Sequence, residues 1–158
     1  MLEFKTRVYK DGVEICGADV PEQTKNLVVP RTLPVKNDAG EVSELPVLRI
    51  GALAFEWRSS LKSITLPEGM TKIADEAFAM CSSLESISLP EGIVKIGERA
   101  FAMCWSLKSI SFPEGIAKIS DGAFWLCSSL KSVALPEGIA EISDNAFPET
   151  TKVIRRRK

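Results

Sequence analysis

Residues 61 to 83 read LKSITLPEGMTKIADEAFAMCSS, and the two stretches that follow, LESISLPEGIVKIGERAFAMCWS and LKSISFPEGIAKISDGAFWLCSS, repeat it at a period of 23. Aligned by that period, the residues fall into columns. Leu61, Leu84, Leu107 and Leu130 coincide, as do Ile64, Ile87, Ile110 and Val133, then Leu66, Leu89, Phe112 and Leu135. PEG recurs at Pro67, Pro90, Pro113 and Pro136. Ile73, Ile96, Ile119 and Ile142 follow, and then Phe78, Phe101, Phe124 and Phe147. A degenerate earlier copy, RIGALAFEW, sets Ile50 and Phe55 one period before Ile73 and Phe78. A fixed period of this size marks a stacked array, because one short unit cannot cover its own apolar face.

Within a unit, LKSITLP alternates at its end, with Ile64 and Leu66 facing one way and Ser63 and Thr65 the other, as in a half-buried strand. Proline stops the strand because it donates no ladder hydrogen bond, and Glu-Gly permits a turn. Ile73 then dips one side chain back inside. DEAFAMCSS reads as a tight helical or 3₁₀-like return, with Phe78 and either Met80 or Cys81 plugging the interior. Each coil presents the same plug in the same place, so strands stack at about 4.8 Å and identical columns become ladders.

The pattern AFxxCxxLxxIxLPEGIxxI, over residues 50 to 147, resembles the BspA-like leucine-rich repeat. It departs from the commoner leucine-rich pattern. Gly69, Gly92, Gly115 and Gly138 occupy the slot usually held by Asn or Cys, so no asparagine ladder satisfies these turns. The resemblance implies a right-handed solenoid of the β-rich α/β leucine-rich-repeat class. It would have one parallel sheet on the concave side and short or 3₁₀ turns opposite. It also implies a bacterial protein, secreted or at the cell surface, that attaches to host or neighbouring-cell proteins. The stretch MLEFKTRVYKDG carries no apolar signal core, which leaves a cytoplasmic location open as well.

The expected organisation is one structural domain. Residues 1–46 form a β-hairpin cap, with turns at Asp11-Gly12 and at Asn37 to Gly40, and family members often begin in a similar way. Residues 47–150 carry the repeats, with a degenerate first unit at 47–60 and units starting near 61, 84, 107 and 130. Residues 151–158 add an edge strand and a basic tail, Arg155 to Lys158, which charges the edge against aggregation.

Several function classes recede. Histidine is absent, removing the commonest general base and metal ligand. No P-loop, dinucleotide fingerprint or nucleophile elbow occurs, and a ladder spreads like residues evenly where catalysis needs unlike groups converging. The expectation is no enzyme and no cofactor. Net charge is −1, with a single four-residue basic run, so no nucleic-acid partner is expected. No window is apolar enough for membrane insertion.

The candidate sites are as follows. Cys81, Cys104 and Cys127 lie in a line rather than in paired metal-ligand spacings, and read as a ladder of buried thiols; Cys16 reads as free. The Glu68, Glu91, Glu114, Glu137 row and the Asp75, Glu98, Asp121, Asp144 row lack the Gly-rich loops of calcium repeats. They read as surface pairing with Lys72, Lys95 and Lys118, and no metal site is expected. Ser63, Thr65, Ser86, Ser88, Ser109, Ser111, Ser132 and Ala134 line the outward strand face, which suits a protein backbone, a glycan or an ice plane. Trp57 takes the slot of Met80, Met103 and Leu126, and reads as core at the cap junction. Trp105 and Trp125 occupy slots otherwise held by serine and alanine in adjoining coils, and either form the leading candidate contact or pack on each other and shield the turns.

Five six-residue strands would offer roughly 500 Å² of sheet, less than the roughly 800 Å² per partner of a standard interface. A non-catalytic protein-binding or adhesion module, monomeric or weakly homo-oligomeric, is the first expectation. A structural or self-associating repeat scaffold is the second, and a glycan or ice-plane binder on the hydroxyl face the third.

Overall fold

Ile64, flanked by two hydroxyl residues and bounded by Pro67, has room for one short strand, and the period copies that limitation into every coil. The computed structural model describes residues 2–157. The chain enters through β1 (Glu3–Val8), β2 (Val13–Asp19), β3 (Asn26–Val28), β4 (Thr32–Lys36) and β5 (Val42–Ile50). Each coil then adds a three-residue and a two-residue strand. These are β6 (Ser63–Thr65) with β7 (Lys72–Ile73), β8 (Ser86–Ser88) with β9 (Lys95–Ile96), and β10 (Ser109–Ser111) with β11 (Lys118–Ile119). β12 (Ser132–Pro136) and β13 (Glu141–Ile142) follow, and β14 (Lys152–Arg156) ends the array.

The result is a β-solenoid of about five turns, with no helix among the described residues. Its coils carry two parallel ladders where one was expected. The hydroxyl-bearing strands β6, β8 and β10 continue β3 as β3-β6-β8-β10, and the two-residue strands extend β5 as β7-β9-β11-β13. The second ladder has a plain cause. Ile73 is fully buried, so the peptide groups beside it need partners, and the neighbouring coil supplies them. Both ladders keep residues of one column opposite each other, Ile87 against Ile110 and Ile73 against Ile96.

The core follows the columns. Phe55, Phe78, Phe101 and Phe124 are wholly buried and stack ring on ring, with centroids 5.2–5.4 Å apart. Phe147 adds the last ring, 5.0 Å from Phe124, and is half-buried because nothing stacks beyond it. Of the two candidates for the second plug, Cys81 is the buried one.

At the entry, β1 and β2 form an antiparallel hairpin and β2 pairs in parallel with β5. β4 and β5 form a second hairpin, in which Asn37 accepts the Glu41 N–H at 2.9 Å. β3 pairs in parallel with β6, Leu27 beside Ile64, and so makes a first rung inside a segment that does not follow the period. At the exit, β14 pairs in parallel with β12, which places Val153 after Val133 and sets Arg155 in the leucine column after Leu135. Arg156 does more than charge an edge. Its guanidinium donates to the Phe112 carbonyl at 2.8 Å and pairs with Glu114 at 3.2 Å, at the break between the β10 and β12 ladders. Lys158 lies outside the described residues.

Candidate functional site

The return segments are held as firmly as strands. In each, a backbone N–H reaches a carbonyl one coil further on. Phe78 N–H donates to Ala100 at 2.8 Å, Met80 N–H to Ala102 at 2.9 Å and Glu76 N–H to Glu98 at 2.9 Å. The next coil repeats the set, with Phe101 to Ala123 at 2.8 Å, Met103 to Trp125 at 2.7 Å and Arg99 to Asp121 at 3.0 Å. Within a coil, Ala79 N–H bonds back to the Glu76 carbonyl at 3.1 Å and Cys81 N–H to Phe78 at 3.3 Å, so the return is a chain of tight turns rather than a helix.

That geometry needs two left-handed residues per coil. They fall at Leu53, Glu76 and Arg99 in one column and at Trp57, Met80, Met103 and Leu126 in another, with φ between 50° and 64°. Left-handed backbone at a non-glycine residue costs on the order of 1 kcal/mol, and here the coil-to-coil bonds offset it. Only Gly122 uses the residue suited to the conformation. A side chain there would press on Arg99, whose stem lies 3.1 Å from where the Cβ would stand.

The cysteines complete the ladder in the opposite direction. The Cys81 thiol donates to the Phe55 carbonyl at 3.2 Å, Cys104 to Phe78 at 3.2 Å and Cys127 to Phe101 at 3.0 Å. Arg58 stands in the same slot of the first coil and donates to the Ala18 carbonyl of the cap at 2.9 Å. The thiols therefore take the part that asparagine plays in commoner repeats. Burial pushes the Cys81 thiol up to about 12. The adjacent Cys127, followed by burial, holds Cys104 well above the ordinary thiol range. Neither is a nucleophile at neutral pH.

The turns project their outer side chains in a way the columns did not reveal. Trp57 is 64% exposed and does not fill the core at the cap junction. Its left-handed backbone lies between the inward Phe55 and the inward Arg58 and directs the indole out, as the same slot leaves Met80 and Met103 half-buried. Trp105 and Trp125 are 45% and 46% exposed. All ring pairs among the described residues join phenylalanines, so these two tryptophans do not stack on each other. Trp125 instead shares a shallow apolar trough of about 320 Å³ with Trp57, Met80, Met103, Ala79 and Ala102; Glu56, Glu76 and Arg99 also line it, and Trp105 does not. Reading Met80 and Met103 as partly outward residues would have located this trough in the sequence.

The hydroxyl face is present but small. Thr65, Ser86, Ser88, Ser109, Ser111, Ser132 and Ala134 are exposed, and Ser63 is half-buried with its hydroxyl donating to Asn26 at 2.7 Å. Three strands of three residues and the matching part of β12 span roughly 20 by 10 Å, a patch of about 200 Å². The charged rows do not pair with the lysines between them as expected. Among the described residues Lys118 meets Glu141 at 2.7 Å and Lys62 meets Glu85 at 3.7 Å, both glutamates lying outside the rows, and Glu114 pairs with Arg156. Asp75 instead accepts the Glu98 N–H at 2.9 Å and Asp121 accepts the Ser143 hydroxyl at 3.0 Å, binding each turn to the next coil.

Comparison with known proteins accords with this architecture. A family model described as the BspA type Leucine rich repeat region matches residues 48–155 in six copies. No curated protein matches the chain by sequence. Among solved structures, the T. pallidum leucine rich repeat protein is similar at 24% identity and a TM-score of 0.61, over 95% of this chain and 83% of that one. A leucine rich cell surface protein from Faecalibacterium prausnitzii A2-165 is similar at 19% identity and a TM-score of 0.61, over 93% of this chain and 50% of that one. The pneumococcal vaccine antigen PcpA is similar at 21% identity and a TM-score of 0.66, over 96% of this chain and 47% of that one. The chain thus spans about half the length of the last two, and at these identities the likeness is one of fold.

Proposed function

The chain belongs to the BspA-type leucine-rich repeat family, and from that premise we propose that it is a non-catalytic interaction module binding a protein partner, as an adhesion domain does, through its turn face. The observation that carries the reading is the exposure of all three tryptophans, between 45% and 64%, on turns bonded coil to coil. Large aromatic side chains on a rigid backbone lose little conformational entropy on contact, which is why such residues dominate binding energy at interfaces. Trp105 and Trp125 are joined in this role by Trp57. Ser63, Thr65, Ser86, Ser88, Ser109 and Ser111 offer too small a platform to hold a partner alone, and serve as a secondary contact.

The test is recovery of surface proteins from contacting cells by the wild type and by the Trp57→Ser, Trp105→Ser, Trp125→Ala triple variant. Every specific partner is expected to be lost with the variant, while circular dichroism and thermal midpoint stay within a few degrees of wild type. Undiminished recovery overturns the turn face as the binding surface. A second reading, self-association, is favoured by Val153 and Ile154, which are 43% and 44% exposed on the last strand. Sedimentation of the same preparations separates the two. A binding module sediments at the 17.3 kDa of the single chain, and a scaffold at a multiple of it.

A further inference from the structure

The trough between Trp57 and Trp125 runs along the solenoid axis, across four successive coils, and its shape carries information about what fits it. Rings of adjacent coils on this side stand 5.2–5.4 Å apart. An α-helix advances 5.4 Å per turn. A helix laid along the trough therefore sets one side chain over each coil and stays in step from Trp57 to Trp125, a span of about 16 Å or about 11 helical residues. An extended strand places same-face side chains about 6.7 Å apart and drifts by more than 1 Å at every coil. A polyproline helix repeats at about 9.3 Å and matches neither one coil nor two.

The lining chemistry fits the same occupant. Ala79 and Ala102, 4% and 5% exposed, make a flat floor that lets a helix approach closely. Met80 and Met103 are unbranched and adjust to the side chains they meet. The indoles of Trp57 and Trp125 close the two ends. Glu56 and Glu76 lie toward the Trp57 end, and at the Trp125 end Arg99 stands among Asp121, Asp144 and Glu149. The rim is acidic at both ends, and complements a helix with basic residues flanking its apolar stripe.

Resting on the protein-binding reading above, we infer that the turn face takes an amphipathic α-helix of another protein, about three turns long, with apolar residues at i, i+4, i+7 and i+11 and basic residues flanking them. The described residues contain no helix, so a second copy of this segment does not supply one.

The experiment uses two displayed libraries of equal size. One holds 16-residue helix-forming peptides randomised on one face, and the other holds 16-residue peptides in a strand-like alternating pattern. Selection on the intact chain is expected to enrich the helical library alone, with apolar residues at the four stated positions. The enriched peptides are expected to bind at least tenfold more weakly to Trp57→Ala and to Trp125→Ala, and unchanged to Val42→Ser, a control in the cap. Equal or greater enrichment of the alternating library overturns the inference, as does no enrichment of the helical one or binding indifferent to both tryptophan variants. If the cell-surface partner is nonetheless lost with the triple variant, the turn-face reading survives and only the helical occupant falls.

Discussion

Phe101→Ala is expected to lower stability by 3–5 kcal/mol, a typical loss for a buried phenylalanine, and the thermal midpoint by about 10 °C or more at this chain length. The ring is wholly buried and stacked on both sides, 5.2 Å from Phe78 and 5.3 Å from Phe124 with interplanar angles of 11° and 2°. Its removal leaves a cavity at the centre of the array and takes away two ring contacts, each contributing about 1 kcal/mol beyond burial. Against a total stability of about 5–15 kcal/mol, that is a large fraction. Phe147→Ala serves as the comparison. This ring is half-buried at the end of the stack, with a single parallel neighbour, and its loss is expected to cost about half as much. Urea titration of the two variants measures both values. A Phe101→Ala loss under about 1 kcal/mol contradicts the continuous stack.

The second large effect is alkaline destabilisation through the thiol ladder. The Cys81 thiol ionises at about 12 in the folded chain, and an exposed thiol in the unfolded chain at about 8.5. The raised value means that the folded state keeps the proton after the unfolded state has released it. The stabilisation is complete below the unfolded value and is lost as pH rises toward the folded one. The slope approaches about 1.4 kcal/mol per pH unit for one such thiol once the unfolded thiol is ionised, or about 2 kcal/mol between pH 8.5 and 10.5. Cys104 shifts in the same direction and steepens the fall. The Cys81→Ala, Cys104→Ala double variant loses the thiol donors to Phe55 and Phe78, and begins less stable at neutral pH. Its stability is expected to fall more gently above pH 8.5, since it no longer carries the two buried thiols that hold their protons only in the folded chain. Parallel decline in the two proteins would remove the buried thiols from the account.

The columns were legible because a period of 23 repeats the inward residues at the same slots. Ile73 and Ile96, Phe78 and Phe101, and Cys81 and Cys104 all occupy the interior positions their spacing predicts. What the sequence concealed has physical causes. Left-handed backbone is ordinarily announced by glycine, yet Glu76, Met80, Arg99 and Met103 adopt it under the pull of bonds to the next coil. That conformation turns Trp57 outward, although its column of methionine and leucine suggested core. The first rung at Asn26–Val28 was hidden because the β4–β5 hairpin separates it from Ser63 by 37 residues. For the edge strand expected at 151–158 only the register was hidden, because β14 pairs with β12 on a shortened return, which places Arg155 where leucine was the rule. Of the two tryptophans singled out in the sequence, Trp125 lines the apolar trough and Trp105 does not. Slot substitution reveals an unusual residue, but not which neighbours the turn gives it.

If the turn side is a bonded platform rather than a set of loops, amide hydrogen exchange will say so residue by residue. The N–H groups of Phe78, Met80, Phe101 and Met103 each reach a carbonyl in the next coil at 2.7–2.9 Å, and their exchange is expected to be as slow as that of Ile87 and Ile110 in the strands. Rapid exchange at those four positions, with the strands still protected, would contradict a rigid turn face and the binding role built on it.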